Sequence, residues 1–340
     1  MSRMRSPLLD RPGAVEAAGR DELSNEVGLD AGVAAHYGSD LREQRALVAG
    51  KAFVDLSHRD VVTITGPDRL TWLHAITSQY FEGLKPGTST TALLLSPTGH
   101  IEHVMYGIDD GVTFWLHTEP GAAAALVEWL QKMVFMSRVE IAEVTDEYAI
   151  VWRPGAASTD EHLTRSGADS LGGHEVFLPR AELAGLEGAA AGIWAYEALR
   201  IEAGAPRFGL DTDERAIPNE VGWLGVGVHL DKGCYRGQET VARVHNLGRP
   251  PRRLVRLLLD GSVDHLPAHG YAVRLGEKQV GFIGSAARHH ELGPIALALV
   301  KRNVDADAGL EVVAEDQPTV TATQELLVDP EVGLHVRSRL

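Results

Sequence analysis

The densest run of chemically capable residues is Lys232-Gly233-Cys234-Tyr235-Arg236-Gly237-Gln238-Glu239, which holds the only cysteine of the 340-residue chain. Gly233 and Gly237 bracket the thiol, so the backbone there can take positive φ or let a ligand approach closely. Lys232 and Arg236 each stand two residues from Cys234, and nearby positive charge favours thiolate over thiol. Gln238 and Glu239 add an amide and a carboxylate, able to grip a heteroaromatic edge or to brace the loop. A lone cysteine in an intracellular chain is more often a small, inert, buried residue. Here its neighbours are glycines and charges rather than apolar side chains, and a reactive role is the expectation.

A second candidate is Glu202. Residues 193–204 read as a compact helix stopped by Gly204 and Pro206, with Trp194, Ala198 and Ile201 on one apolar stripe and Glu202 beside it. A carboxylate in the last turn opposes the helix dipole, and at the edge of an apolar stripe it is partly desolvated. Such a placement points to function, or else to a simple ion pair with Arg200, Arg207 or Arg215. From Lys232 to Arg256, seven cations (Lys232, Arg236, Arg243, Arg249, Arg252, Arg253, Arg256) meet one acid, Glu239. In a chain of net charge −15, this island fits a specific anionic ligand or partner, or a solvated face with scattered ion pairs. The overall charge argues against general binding of nucleic acid or of anionic membranes.

The elements that must position these groups follow from periodicity. Residues 1–45 read as an extension that drapes on the body. Val61–Thr65 is strand-like and ends at Gly66-Pro67-Asp68. A helix follows, with Leu70, Leu73, Ile76 and Tyr80 on one stripe. Residues 90–95 and 100–107, joined by Ser96-Pro97-Thr98-Gly99, form a hairpin, and 112–117 adds a third strand. A helix over 122–133 precedes strands near 139–144 and 148–152, the rhythm of an α+β layer. Pro154 to Gly173 is a polar, Gly-rich loop or insertion. After Pro250-Pro251, runs at 254–259, 271–275, 279–285, 295–300 and 311–314 have the spacing of a small antiparallel β-barrel.

The apolar share of 44% is enough for packed cores, and the length suggests about two domains. A single cysteine permits no internal disulfide and fits a reducing compartment. No stretch reaches the roughly 18 apolar residues of a membrane span, and the N-terminal arginines (Arg3, Arg5, Arg11) are offset by Asp10 and Glu16, so a cytoplasmic location is expected. There is no phosphate-binding GxxxxGK[ST], dinucleotide GxGxxG, HExxH or GxSxG pattern. His100 and His103 fall on opposite faces of a strand and cannot share a metal. The pair His289-His290 reads as surface, and no metal site is expected.

The Lys232–Glu239 octapeptide resembles the signature of the YgfZ family, folate-binding relatives of the glycine-cleavage T-protein linked to iron–sulfur metabolism. Leu199-Arg200-Ile201-Glu202-Ala203-Gly204, Phe208-Gly209-Leu210-Asp211 and Ile217-Pro218-Asn219-Glu220 support the resemblance, in that family's order and spacing. It implies two interleaved α+β lobes, residues 46–250, around a tetrahydrofolate site, then a β-barrel, residues 251–325, and a tail, 326–340. Glu202 matches the T-protein carboxylate that reads the pterin edge. The implied folate-site residues further include Arg200, Asp211, Lys232, Tyr235, Arg236, Gln238 and Glu239, with Arg243 and Arg249 for the folate's glutamate tail. The T-protein's catalytic Gly-Gly-x-x-Asp-Asp element becomes Thr98-Gly99-His100-Ile101-Glu102-His103 here, with Glu102 in the aspartate's place. The resemblance therefore implies a tetrahydrofolate-binding accessory protein for iron–sulfur enzymes, including tRNA-modifying ones, with Cys234 as its reactive thiol. The alternatives are a folate-dependent aminomethyltransferase or demethylase using Glu102, and a pure binding module in which Cys234 is structural.

Overall fold

The structure is a computed structural model. It describes residues 4–17, 28–157, 162–248, 250–263, 265–314, 317–329 and 333–334. Its contacts divide the chain into two compact units, one of residues 1–94 and 103–197 and the other of residues 95–102 and 198–340. The sequence expectation placed the domain boundary at Pro250-Pro251. The helical and loop segments after residue 197 instead associate with the barrel, because buried side-chain bonds tie them to its strands, as described below.

In the first unit the chain order is β1 (Val15–Glu16), β2 (Ala34–His36), α1 (Asp40–Val48), β3 (Ala52–Asp55), β4 (Asp60–Thr65), α2 (Arg69–Ile76), β5 (Ser89–Leu95), β6 (Ile101–Asp109), β7 (Thr113–Thr118) and α3 (Ala123–Lys132). It continues with β8 (Glu140–Glu143), β9 (Tyr148–Pro154), β10 (Thr164–Arg165), β11 (Gly173–Pro179), β12 (Ala189–Ala191) and α4 (Ile193–Glu202), whose last turns belong to the second unit. Two five-stranded sheets result, in orders β5-β6-β7-β4-β8 and β10-β11-β9-β3-β12. The first sheet buries Val62, Ile64, Phe114 and Leu116 against Leu73 of α2 and Leu126 and Leu130 of α3. The second buries Phe53, Val151, Val176 and Leu178 with Leu8 and Leu183.

Four local expectations are corrected. The described part of the N-terminal extension is an integral layer: Leu8 and Leu9 are buried, and the Ser6 hydroxyl donates to Asp55. Helix α2 ends at Ile76 because Thr77 turns extended, so Tyr80 leaves the apolar stripe and is exposed. Trp194 is likewise exposed and meets the ring of His36. Within 154–173, Arg165 is fully buried against Asp169 and Glu175, and β11 follows directly. His174 and Glu175 broke the apolar alternation there, so the pattern hid a strand whose Glu175 accepts from Arg165 and Ser170 and whose His174 Nδ1 meets the Gly155 carbonyl.

The second unit contains α5 (Gln238–Leu247) and the strands β13 (Arg252–Leu259), β14 (Ala272–Leu275), β15 (Lys278–His289), β16 (Gly293–Lys301), β17 (Leu310–Val313) and β18 (Val320–Leu326). These strands close into a barrel in the order β13-β16-β15-β14-β17-β18. Val255, Leu257, Val273, Ile283, Ala298 and Val312 fill its interior, one alternate face of each strand. The strands predicted from 254 to 314 are all present, and β18 was the one not foreseen. No described helix is long and apolar enough to cross a membrane.

Candidate functional site

The octapeptide folds as a loop that runs into α5, with Gly237 as the helix N-cap in the left-handed region at φ 82°. Its conformation is not the only constraint. A Cβ at Gly237 would lie 2.6 Å from the Ser96 carbonyl oxygen and 2.8 Å from Cα of Gly99, so this glycine lets the loop sit directly on the β5–β6 turn. Gly99, itself at φ 85°, would in turn meet Thr240 of α5 at 2.8 Å. The two motifs singled out in the sequence, 98–103 and 232–239, are thus packed backbone to backbone.

That packing brings Arg236 to Glu102, with Nη1 donating to Oε2 at 2.8 Å; both side chains are about one-third exposed. Glu102 is held by its strand as well, since the neighbouring Ile101 amide donates to the Ala216 carbonyl. Cys234 is exposed on the same loop. Of the two flanking cations, Arg236 pairs with Glu102, and buried Lys232 lies over the Tyr235 ring at 5.5 Å. Partial burial pushes the Tyr235 phenol up to about 12, so it is a neutral hydroxyl at physiological pH. Gln238 and Glu239 begin α5, where the exposed Glu239 carboxylate suits the positive end of the helix.

Glu202 ends α4 with its side chain 44% exposed. Its neighbour is His289, whose Nε2 lies 3.3 Å from Oε2. Arg256 donates to the Glu202 carbonyl and also binds Glu325, which satisfies one of the open carbonyls at the helix end. The prediction that His289 is a surface residue is corrected, since it is 3% exposed. Alternation could have found it: beyond an irregularity at Gly284, Ser285, Ala287 and His289 share one face of β15, and Ala286 packs toward the barrel core.

Arg200 and Asp211, both implied as folate contacts, occupy a buried network instead. Arg200 donates to Asp211 at 2.7 Å and to the Ser285 hydroxyl at 2.8 Å; Ser285 donates to Asp211 at 2.7 Å. The Arg207 amide also donates to Asp211. With side chains 3% and 0% exposed, the pair fastens the Phe208–Asp211 turn to the outer face of β15. A Cβ at Gly284 would sit 2.3 Å from Asp211 Oδ1, which accounts for the glycine.

The basic island also separates into roles. Arg252 binds Asp213 and Glu220, Arg253 donates to the carbonyls of Arg302 and Val304, and Arg256 is engaged as above. These arginines are structural because their guanidinium forks meet fixed acceptors. Arg243 is exposed on α5, whereas Arg249 lies outside the described residues. Among the described residues no group of three or more His, Cys, Asp or Glu could hold a metal.

Comparison with known proteins places this architecture. Residues 34–165 match the GCVT N-terminal domain, and residues 252–329 match the glycine cleavage T-protein C-terminal barrel domain. The two together cover more than half of the chain, which therefore belongs to the GcvT-like family. Its relatives include an aminomethyltransferase of Streptomyces coelicolor, 27% identical over 78% of this chain and 82% of the relative. An aminomethyltransferase of Thermotoga neapolitana is 26% identical over 82% and 86%. A chloroplastic protein of Arabidopsis thaliana named as a transferase is 25% identical over 84% and 73%. The crystal structure of glycine cleavage system aminomethyltransferase T from Bartonella henselae has the same fold, with TM-score 0.78 and 18% identity over 98% of this chain and 99% of that one.

Proposed function

We propose that this protein binds tetrahydrofolate or a derivative and handles the one-carbon unit it carries, as a folate-dependent protein of the T-protein type. The reading is carried by the junction of the 98–103 turn with the 232–239 loop. There the acid matching the T-protein's catalytic aspartate, Glu102, stands paired to Arg236 of the loop that also carries the exposed Cys234. A carboxylate held by a guanidinium can exchange a proton with a folate nitrogen once substrate displaces the arginine. Glu202, accessible at a helix end, would accept the two parallel N–H donors of the pterin's amino-pyrimidinone edge. Exposed Arg243 would meet the anionic glutamate tail. We retain the expected cytoplasmic location, which the single cysteine and the acidic charge support.

A second reading, the iron–sulfur accessory role implied by the YgfZ resemblance, is favoured by one observation: Cys234 is exposed in the signature loop and not part of a core. Anaerobic calorimetric titration with tetrahydrofolate tests the shared step, with wild type binding and Glu202→Ala weakened by at least tenfold, the scale of lost hydrogen bonds to a charged group. Absence of wild-type binding would sink both readings. Turnover of an aminomethyl donor lost in Glu102→Gln and kept in Cys234→Ala supports the transferase. The reverse dependence, read as iron–sulfur enzyme activity in cells carrying Cys234→Ser, supports the accessory role.

A further inference from the structure

We infer that His289 is a positioning residue for Glu202, donating its Nε2 proton to the carboxylate and so fixing the acid that receives the ligand. The inference rests on the folate reading above for the identity of that ligand, but its geometry stands apart from it. Two backbone amides, those of Glu291 and Leu292, point at His289 Nδ1 from 3.3 and 3.1 Å. Nδ1 must therefore accept, and the neutral ring carries its proton on Nε2. Nε2 is buried and makes no well-aligned hydrogen bond; Glu202 Oε2, at 3.3 Å, is the acidic oxygen it faces. A buried donor left nearly unpaired is costly, and a modest rotation of the Glu202 side chain would satisfy it.

The surroundings keep the ring neutral. His290 lies against it with ring centroids 4.5 Å apart, and burial opposes a positive charge. Glu202 and Glu291 pull the other way, and Arg256 and Glu325 complete the charged neighbourhood of the helix end. Burial is the largest influence, so the imidazole's pKa lies below its ordinary value. The consequence is a donor that does not neutralise the carboxylate. Each carboxylate oxygen has two acceptor sites, so Oε2 can receive His289 on one side and a ligand N–H on the other. The Arg256 bond to the Glu202 carbonyl holds the backbone while His289 sets the side chain.

The test compares wild type, His289→Gln and His289→Ala for tetrahydrofolate affinity, with thermal melts to confirm folding. Glutamine keeps an N–H donor and alanine does not. The expected result is an alanine variant weakened about tenfold or more and a glutamine variant within about threefold of wild type. Equal losses in both, or none in either, would overturn the positioning role while wild-type binding leaves the folate reading standing. Absence of wild-type binding would overturn the folate reading, and this assignment with it. Ring-nitrogen NMR shifts of His289 in ligand-free wild type supply a check independent of folate. They are expected to report the Nε2-protonated tautomer, with a change at Nε2 in Glu202→Gln. The Nδ1-protonated tautomer would reject the assignment.

Discussion

His117 illustrates how much a single buried side chain costs when its polar atoms find no partner. The ring is fully buried on β7, stacked on Tyr106 at 5.1 Å and tilted against Phe177, and neither ring nitrogen has a hydrogen-bond partner. Burial first, then the positive charges of Arg59 and Arg165, hold its pKa well below the ordinary value. An unsatisfied buried polar atom costs about 1–3 kcal/mol, whereas an apolar ring of similar shape keeps the stacking. His117→Phe is accordingly expected to raise stability by about 1 kcal/mol at neutral pH, measured by denaturant titration, and by more at pH 5.5. A loss of stability would mean that the nitrogens are satisfied in solution. At the same scale, the sequence identified Cys234 and Glu202 as unusual but could not assign their neighbours. Arg236 and Lys232 are close to Cys234 in sequence, yet their side chains reach Glu102 and Tyr235.

Elements in the second unit are joined by two devices that invite different substitutions. Gly237 combines positive φ with an approach to the Ser96 carbonyl that leaves no space for a methyl group. Gly237→Ala therefore carries both backbone strain and a steric clash. It should cost about 2–4 kcal/mol of stability or displace the loop, with the loss of the Arg236–Glu102 pair visible as faster labelling or proteolysis of 232–239. The Arg200–Asp211–Ser285 network is the second device. Asp211→Ala leaves a buried guanidinium uncompensated and is expected to cost about 3–5 kcal/mol. Arg243→Ala, at an exposed helix position, should leave the melting temperature unchanged and weaken only binding of a polyglutamylated folate. If Asp211→Ala melts like wild type and loses only ligand affinity, Asp211 belongs to the binding site after all.

For the whole molecule, acid sensitivity follows from histidines held neutral by their surroundings. Burial lowers the pKa of His103, His117 and His289 below the ordinary value near 6.5. Below about pH 6.5 the unfolded chain binds these protons more readily than the folded one. Stability is thus fully present above that value and is lost as pH falls toward the lower folded-state values. Melting temperature is expected to fall progressively from pH 7.5 through 6.5 to 5.5, and His117→Phe should flatten part of that slope. A pH-independent melt over this range would show that the three rings titrate alike in the folded and unfolded chains. The net charge of −15 adds self-repulsion that lessens on acidification, an opposing and smaller contribution once salt screens it.

Much of the fold was legible because its signals are local. Alternation and turn residues located β4–β9 and five of the six barrel strands, and the glycine-flanked octapeptide marked the loop that carries Cys234. Strand β11 and the buried Arg165 were not legible, since Arg165 pairs with Asp169 and Glu175 inside the protein and such charged residues look like loop residues in one dimension. The same physics drew Arg200 and Asp211 into a buried network with Ser285 and engaged three of the seven cations of the basic island with fixed acceptors. Sequence determined which groups could do chemistry: one thiol, two unusual carboxylates and a run of cations. Tertiary structure alone decided which charges meet. Glu102 finds Arg236 across 134 positions because Gly99 and Gly237 let two turns touch, and Glu202 finds His289 because barrel closure turns one face of β15 outward.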